Sequence, residues 1–201
     1  MFALFGIFAQ SDGMAFEESQ QARCLRSAGL SYGGLNTMQA LTRNSDVFAA
    51  GVANAPVFNH ISSVRYEGYP RSAPFDLEPP TGFGFRSNPM GPGSDLAGPE
   101  WAGLAQKNQQ LAWDSSPAGH ILSLTSPLLV IQGDSDANVV FQQTVGIVRA
   151  LRRQGLESQG KLETLVVPDE RHGFRRYVNQ MLAANATMSF FARRLGGGQL
   201  N

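Results

Sequence analysis

The 201-residue sequence has little cysteine, no excess of either charge and no long apolar run. Its one cysteine, Cys24, excludes an internal disulfide framework and a metal cluster built on cysteine ligands. Lys and Arg number 16 and so do Asp and Glu, so no basic excess favours nucleic acid or an anionic membrane as a partner. No segment reaches the roughly 18 apolar residues of a membrane-spanning helix. A hydrophobic content of 42% predicts a globular domain with one sizeable core.

The apolar run Met1–Ala9 has no basic residue in front of it. Secretory signals usually begin with a positively charged region, so this run argues against secretion. We therefore expect a soluble protein that is cytoplasmic or organellar rather than secreted.

Segments with helical periodicity alternate with short apolar runs typical of strands, which predicts an α/β fold with a mostly parallel sheet flanked by helices. In the last helix we expect Met181, Met188 and Phe191 to face inward. Residues 66–100 are rich in Pro, Gly and Ser and are predicted to be irregular. The predicted helices are Gly33–Arg43, a segment near Glu100–Leu111, Phe141–Arg153 and Arg176–Leu195, and the predicted strands are Val47–Ala53, Pro127–Ile131 and Leu162–Val167.

The segment Gly29–Gly34 has the form G-x-S-x-G, which is typical of a nucleophile elbow, a serine on a sharp turn between a strand and a helix. Its glycines permit a strained backbone and a close approach of neighbouring chain. Such a turn exposes Ser31 Oγ and lets the backbone amide of Tyr32 donate to an oxyanion. A glycine-rich turn without catalysis is the alternative, since a motif this short also occurs by chance.

Two further polar residues follow predicted strands. Asp136 lies five residues after Pro127–Ile131, and His172 lies five residues after Leu162–Val167. Catalytic groups gather at the carboxyl ends of parallel strands. A serine nucleophile needs a histidine to accept its proton and a carboxylate to orient that histidine. The chain order Ser, Asp, His is the order found in α/β-hydrolases.

Each of these residues has a plainer alternative. Asp134 is a rival for the acid, and either Asp134 or Asp136 could instead cap a turn. His172 could be an ordinary surface-loop histidine. His60 and His120 are weaker candidates for the base, because neither follows a predicted parallel strand in the right order. The coincidence of three polar residues at three strand ends favours the triad.

Five stretches of the chain form a specific combination: Gly29–Gly34, Asp46–Val57, Asp114–Pro117, Pro127–Val139 and Pro168–Phe174. In this combination the sequence resembles the catalytic domain of the prolyl oligopeptidase family of serine peptidases, a branch of the α/β-hydrolases. The resemblance implies a serine-type peptidase that hydrolyses peptide bonds through an acyl-enzyme. It implies no metal or organic cofactor.

The resemblance also suggests roles for individual residues. The family's catalytic aspartate is matched by Asp136 and not by Asp134. Val57, Asn138 and Val139 match positions that bind substrate. Ordinary core packing is the alternative for Val57 and Val139.

The region after Val57 departs from some relatives. Dipeptidyl peptidases carry aromatic residues shortly after this position, whereas this chain has Asn59, His60 and Ser63, with Tyr66 as the nearest aromatic. A pocket that stacks on proline is therefore in doubt, and the preferred residue at the cleavage site stays open.

The larger departure lies upstream of the elbow, where only 28 residues precede Gly29. The resemblance implies several earlier strands and a second oxyanion donor in that region, and a buried strand directly before the elbow. The segment Ala22–Ala28 carries two arginines, which are costly in a strand covered on both faces. Without the earlier strands, we expect the elbow strand to be an exposed edge of the sheet.

We therefore expect a fragment of a larger peptidase, lacking the N-terminal strands of the fold. Residues 1–21 are predicted to be an unmatched N-terminal segment, residues 22–196 the C-terminal part of an α/β-hydrolase peptidase domain, and residues 197–201 a tail. The expected partner is a peptide substrate, with no nucleic acid and no membrane, and with either a missing N-terminal region or an oligomer partner. Two alternatives stay open: a carboxylesterase-like acyl hydrolase with the same triad, and an inactive truncated remnant that acts only by binding.

Overall fold

The computed structural model describes residues 5–9, 25–60 and 110–194, in which five strands form a single sheet. The strands are β1 Phe5–Ala9, β2 Leu25–Leu30, β3 Phe48–Asn54, β4 Leu128–Gly133 and β5 Leu162–Val167. The helices are α1 Tyr32–Arg43, α2 Gln142–Arg153 and α3 Tyr177–Arg194, with a 3-10 helix at Pro117–Ser123. The order of the strands across the sheet is their order along the chain; neighbours from β2 to β5 run parallel, and β1 pairs antiparallel with β2.

The predicted α/β class, with a mostly parallel sheet flanked by helices, is confirmed. The other six predicted helices and strands are present, with their described ends shifted by one or two residues at most. The prediction for residues 66–100 lies outside the described part of the chain, as does most of the helix predicted near Glu100–Leu111.

Strand β4 shows why its sequence is a continuous apolar run. Leu128 and Val130 belong to a core cluster with α1, α2 and the 3-10 helix. Leu129 and Ile131 belong to a second cluster with α3 on the other face. Because successive side chains of a strand point to opposite faces, a sheet covered on both faces needs apolar residues at every position.

Helix α3 turns a different face to the sheet from the one predicted. Met181 is 41% exposed and Met188 is 59% exposed, so the prediction that they face inward was wrong. Phe191 is buried as predicted, together with Ala183 and Phe190. Met181 and Met188 are each two residues ahead of Ala183 and Phe190, and two residues turn an α-helix by roughly 200°. The two sets therefore have the same spacing but lie on opposite faces.

The elbow strand β2 is not an edge of the sheet, which corrects the expectation drawn from the sequence. The backbone of β1 pairs with it from Phe5 opposite Gly29 to Ala9 opposite Leu25. The expectation failed because the apolar run at the start of the chain, although short, is long enough to form a strand.

Strand β2 is also not buried on both faces. Ser27 is its one buried residue, while Arg26 is half-buried. Arg26 is therefore not fully buried, and Arg23 lies outside the described residues. Within the described part of the chain, no helix is both long enough and apolar enough to cross a membrane.

Candidate active site

Ser31 occupies the turn between β2 and α1 in a strained backbone conformation, with φ 61° and ψ −120°. Its amide donates to the carbonyl of Asn54 at the end of β3, at 2.9 Å. A Cβ on Gly29 would lie 2.3 Å from the carbonyl carbon of Gly33, and a Cβ on Gly34 would lie 2.7 Å from the carbonyl oxygen of Asn54. Glycine is therefore required at both positions for the turn to close.

The Ser31 hydroxyl is not used to cap the helix that follows, since the side chain makes no capping hydrogen bond. Tyr32 is the first residue of α1, so its N–H has no acceptor within the helix. The positive end of the helix dipole lies at the same place. Both features suit the Tyr32 amide to the predicted role of oxyanion donor.

Backbone strain recurs at the carboxyl ends of the sheet. Besides Ser31, the described non-glycine residues with positive φ are Ala55, directly after β3, and Asp169, two residues after β5, at 42° and 58°. Such conformations persist only where the surrounding structure enforces them, and they concentrate at functional sites. Strain at three of the four parallel strand ends marks this edge of the sheet as the candidate site.

Asp136 follows β4, and its side chain is fully buried. Oδ1 accepts hydrogen bonds from the amides of Asn138 and Val139, at 2.8 and 3.0 Å. Oδ2 accepts from Gln132 Nε2 at 2.9 Å and lies 2.8 Å from His172 Nδ1. Four donors thus surround a carboxylate that is removed from water.

The His172 imidazole is 4% exposed, and its Nδ1 faces Asp136. Donation from Nδ1–H to the carboxylate fixes the tautomer whose Nε2 carries a free lone pair. That nitrogen is the one able to accept a proton from a nucleophile. No hydrogen bond between described residues joins Ser31 Oγ to the imidazole, so the structure brings together the acid and the base but leaves the nucleophile unbonded to them.

The rival acid, Asp134, has a different environment. It is exposed, and its Oδ1 accepts from the amide of Asp169 at 2.8 Å and from the hydroxyl of Ser135 at 3.1 Å. This carboxylate joins the loop after β4 to the loop after β5.

The two other histidines are not paired with a carboxylate in the described part of the chain. His60 lies in the loop after β3, and its partial burial lowers the pKa of its imidazole. His120 lies in the 3-10 helix, with Nε2 3.0 Å from the carbonyl of Asp114.

The predicted substrate contacts differ in their accessibility. Val57 is half-buried in the loop after β3, and Asn138 is exposed after β4. Val139 is 6% exposed and contacts the site through its backbone amide, which donates to Asp136.

Three buried polar side chains near the site were not predicted from the sequence. Gln132 donates to Asp136 and to the carbonyl of Val139, and it accepts from Thr144. Gln143 accepts from the amides of Phe58 and Asn59 and so holds the loop that carries Val57. Glu170 lies in the loop of His172. Of the three, only Gln132 could have been suspected from the sequence, because it is a polar residue that directly follows the apolar run Pro127–Ile131.

Among the described residues, His, Cys, Asp and Glu side chains form no group of three able to hold a metal ion. The arrangement therefore offers proton transfer through a histidine and a carboxylate rather than metal ligation by side chains in these segments.

Comparison with known proteins gives consistent matches. The model of the prolyl oligopeptidase family matches residues 14–72 and 92–198. The chain is 30% identical over 170 residues to dipeptidyl peptidase family member 6 of Caenorhabditis elegans, covering 84% of this chain and 20% of that protein. It is 30% identical over 169 residues to dipeptidyl aminopeptidase BIII of Pseudoxanthomonas mexicana, covering 84% and 21%. The chain thus spans about a fifth of the length of these curated relatives.

The fold is similar to that of a puromycin-hydrolyzing peptidase of Mycobacterium tuberculosis, with a TM-score of 0.59 and 21% identity. That match covers 85% of this chain and 22% of the solved chain. The predicted partial α/β-hydrolase fold is thereby confirmed, as is the resemblance stated from the sequence motifs.

Proposed function

Because the chain belongs to the prolyl oligopeptidase family, we propose that it is a serine peptidase whose catalytic residues are Ser31, His172 and Asp136. The observation that carries this proposal is the 2.8 Å contact between His172 Nδ1 and the buried carboxylate of Asp136. That pair lies at the same edge of the sheet as the strained elbow of Ser31, since strands β2 to β5 are parallel neighbours. One strand, β3, separates the strand before the elbow from the strand before the acid, a distance of roughly 10 Å between the two strands.

The proposed reaction proceeds in two steps. Ser31 Oγ attacks the carbonyl carbon of the peptide bond while His172 Nε2 takes the hydroxyl proton, and Asp136 stabilises the resulting imidazolium. The Tyr32 amide donates to the oxyanion. The imidazolium then gives its proton to the departing amine, which leaves an ester on Ser31. A water molecule, deprotonated by His172, attacks this ester. The imidazolium then returns the proton to Ser31 Oγ as the ester bond breaks and the carboxylic acid leaves.

The substrate class is proposed from the relatives. The curated relatives are named as dipeptidyl peptidases or aminopeptidases, and the structural neighbour as a peptidase that hydrolyses puromycin. We propose that this chain also hydrolyses peptide bonds. This is a proposal because the chain spans about a fifth of the length of those curated proteins. Val57, Asn138 and Val139 are proposed to bind the substrate.

Labelling with a fluorophosphonate probe tests the mechanism in the full chain. We expect Ser31 to be modified, Ser31→Ala to remain unlabelled, and Asp136→Asn to react on the order of 10²–10⁴ times more slowly because its histidine loses the correct tautomer. Asp134→Asn is the matched control, since its amide oxygen can still accept from Asp169, and its rate is expected within about threefold of the parent chain.

The outcomes separate the candidate functions. Folded protein that labels equally with and without Ser31 would show the mechanism to be wrong, and a folded chain that never labels would favour a remnant that acts by binding. Hydrolysis of short p-nitrophenyl esters without hydrolysis of peptide amides would replace the peptidase by an acyl hydrolase with the same triad.

A further inference from the structure

Glu170 is a buried carboxylate whose hydrogen bonds are made to the end of the His172 loop and to the start of α3. It is 2% exposed. Oε2 accepts from the amide of Arg175 at 2.7 Å, and Oε1 accepts from the amide of Arg176 at 3.1 Å and from Asn179 Nδ2 at 2.7 Å. A charge this far from water is tolerated only when it is well hydrogen-bonded, and these three donors meet that need.

The place of these donors adds to the stabilisation. They lie at the N-terminal end of α3, where N–H groups lack acceptors within the helix and the helix dipole favours negative charge. The side-chain hydrogen bond from Asn179 and then the backbone hydrogen bond from Arg175 hold the pKa of the Glu170 carboxyl below its ordinary value. The group is therefore an anion at neutral pH.

The backbone of Glu170 is hydrogen-bonded to a different segment, the loop after β4 that carries Asp136. Its carbonyl accepts a hydrogen bond from the amide of Ser135, the residue before Asp136, at 3.1 Å. A Cβ on Gly133 would lie 2.2 Å from the same carbonyl oxygen, so the two loops are in close contact. One residue thus joins the acid loop through its backbone and α3 through its side chain.

His172 lies inside the ring that these contacts close. The hydrogen bonds from the amides of Arg175 and Arg176 back to Glu170 enclose residues 171–174. Phe174, at the end of this stretch, is 5% exposed and packs in the core cluster beneath α3. The imidazole is hydrogen-bonded to Asp136 and to no other described residue, so its position depends on where this ring holds its backbone.

We propose that Glu170 is a positioning residue for His172: its carboxylate closes the histidine loop onto α3 while its carbonyl fixes that loop against the loop of Asp136. The inference rests on the proposed function, in which His172 is the general base. A plain helix cap would stabilise α3 without changing the geometry of the imidazole, and this difference can be measured.

The test uses Glu170→Ala and Glu170→Gln in the full chain, with two readouts. Fluorophosphonate labelling of Ser31 reports activation of the nucleophile, and nuclear magnetic resonance of the His172 ring nitrogens reports the hydrogen bond to Asp136 without any chemistry. We expect Glu170→Ala to slow labelling by about 10- to 100-fold, since a displacement near 1 Å is enough for that loss, and to shift the Nδ1 signal. Glu170→Gln retains one acceptor oxygen and should fall between Glu170→Ala and the parent chain.

Glu163→Gln is the matched control, because it makes the same change of carboxylate to amide at the far end of α3. Glu163 pairs with Arg193 and Arg194, at 2.6 and 2.8 Å, and has no contact with the histidine loop among the described residues. Its labelling rate is expected within about twofold of the parent chain, whatever its effect on the melting temperature.

Folded Glu170→Ala with the parent labelling rate and an unchanged Nδ1 signal would overturn the proposal. If the parent chain is not labelled at all, the proposed function fails, while the Nδ1 signal still decides the role of Glu170. Where Glu170→Ala does not fold, Asn179→Ala removes a single donor and keeps the carboxylate. A smaller change in the same direction supports the proposal, and no change in either readout overturns it.

Discussion

At the scale of one residue, Ser31 holds a strained backbone conformation that the surrounding fold enforces. Its backbone lies at φ 61° and ψ −120°, a region that residues with a Cβ rarely adopt. The surrounding contacts enforce this conformation: its amide is bound by the carbonyl of Asn54, and its own carbonyl accepts from the amide of Leu35. In this conformation the hydroxyl lies at the N-terminus of α1 but makes no capping hydrogen bond to it.

This strain predicts an unusual order of stability among inactive variants. Ser31→Gly removes the Cβ that makes the conformation unfavourable, whereas Ser31→Ala keeps it. We expect Ser31→Gly to unfold with a free energy about 1 kcal/mol higher than Ser31→Ala, even though glycine usually destabilises relative to alanine. Urea denaturation of the two variants measures the difference. Equal stabilities, or a more stable alanine variant, would show that the elbow is not strained.

The proposed triad could be named from the sequence because each of its residues follows a segment with a clear pattern. The buried polar residues that hold the loops around it could not. Gln132, Gln143 and Glu170 are polar side chains in buried positions. Their partners lie at no regular spacing along the chain, from four positions between Gln132 and Asp136 to 84 between Gln143 and Asn59. Periodicity carries no information about such pairs.

At the scale of secondary structure, the prediction was most accurate for elements that are buried on every face and are therefore apolar at every position. Strand β4 is apolar at every position from Leu128 to Ile131 and was correctly placed. Helix α3 was placed correctly, but two of its three predicted inward residues are exposed. Its buried stripe is narrow, and its exposed face also carries apolar residues such as Val178 and Met188. Two apolar stripes with the same period give no basis for choosing the buried one.

The junction between β5 and α3 predicts a pH-dependent contribution to stability. The hydrogen bonds from Asn179 and Arg175 lower the pKa of the Glu170 carboxyl below its ordinary value of 4.5, and the positive charge of Arg176 acts in the same direction. A carboxyl whose pKa is lower in the folded state stabilises that state above the unfolded value, and this contribution is lost as the pH falls through the folded value. The parent chain should therefore exceed Glu170→Gln in stability by a constant amount near neutral pH.

Below about pH 4.5 that difference should narrow, because the unfolded state of the parent chain binds a proton that the folded state does not yet accept. Urea denaturation of both proteins at successive pH values measures it. A difference that stays constant down to the pH at which both chains unfold would show that Glu170 is not ionised in the manner proposed.

At the scale of the whole molecule, the sheet depends on a strand outside the part that matches the family. The family match begins at residue 14, whereas β1 ends at Ala9. This strand pairs with β2, which leads directly into the elbow. An unpaired β2 would present a row of free backbone donors and acceptors, which promotes association between chains. The order of the candidate site therefore depends on β1, through the strand that presents Ser31.

A pair of proline substitutions tests this dependence through the backbone alone. Opposed residues of an antiparallel pair alternate between those that exchange hydrogen bonds and those that do not. Proline lacks an N–H, so of Ile7→Pro and Phe8→Pro only one should remove a hydrogen bond to β2. We expect that variant to associate at lower concentration than the parent chain and to lose fluorophosphonate labelling, while its neighbour stays closer to the parent.

Size-exclusion chromatography with light scattering, over a range of protein concentrations, measures the association. The two variants control for each other, because they introduce the same residue one position apart in the same strand. Equal effects would show that proline acts on the strand conformation in general rather than on the ladder between β1 and β2. If both variants behave as the parent chain, β1 does not protect the elbow strand. In that case β2 would act as an edge strand in solution, as expected from the sequence.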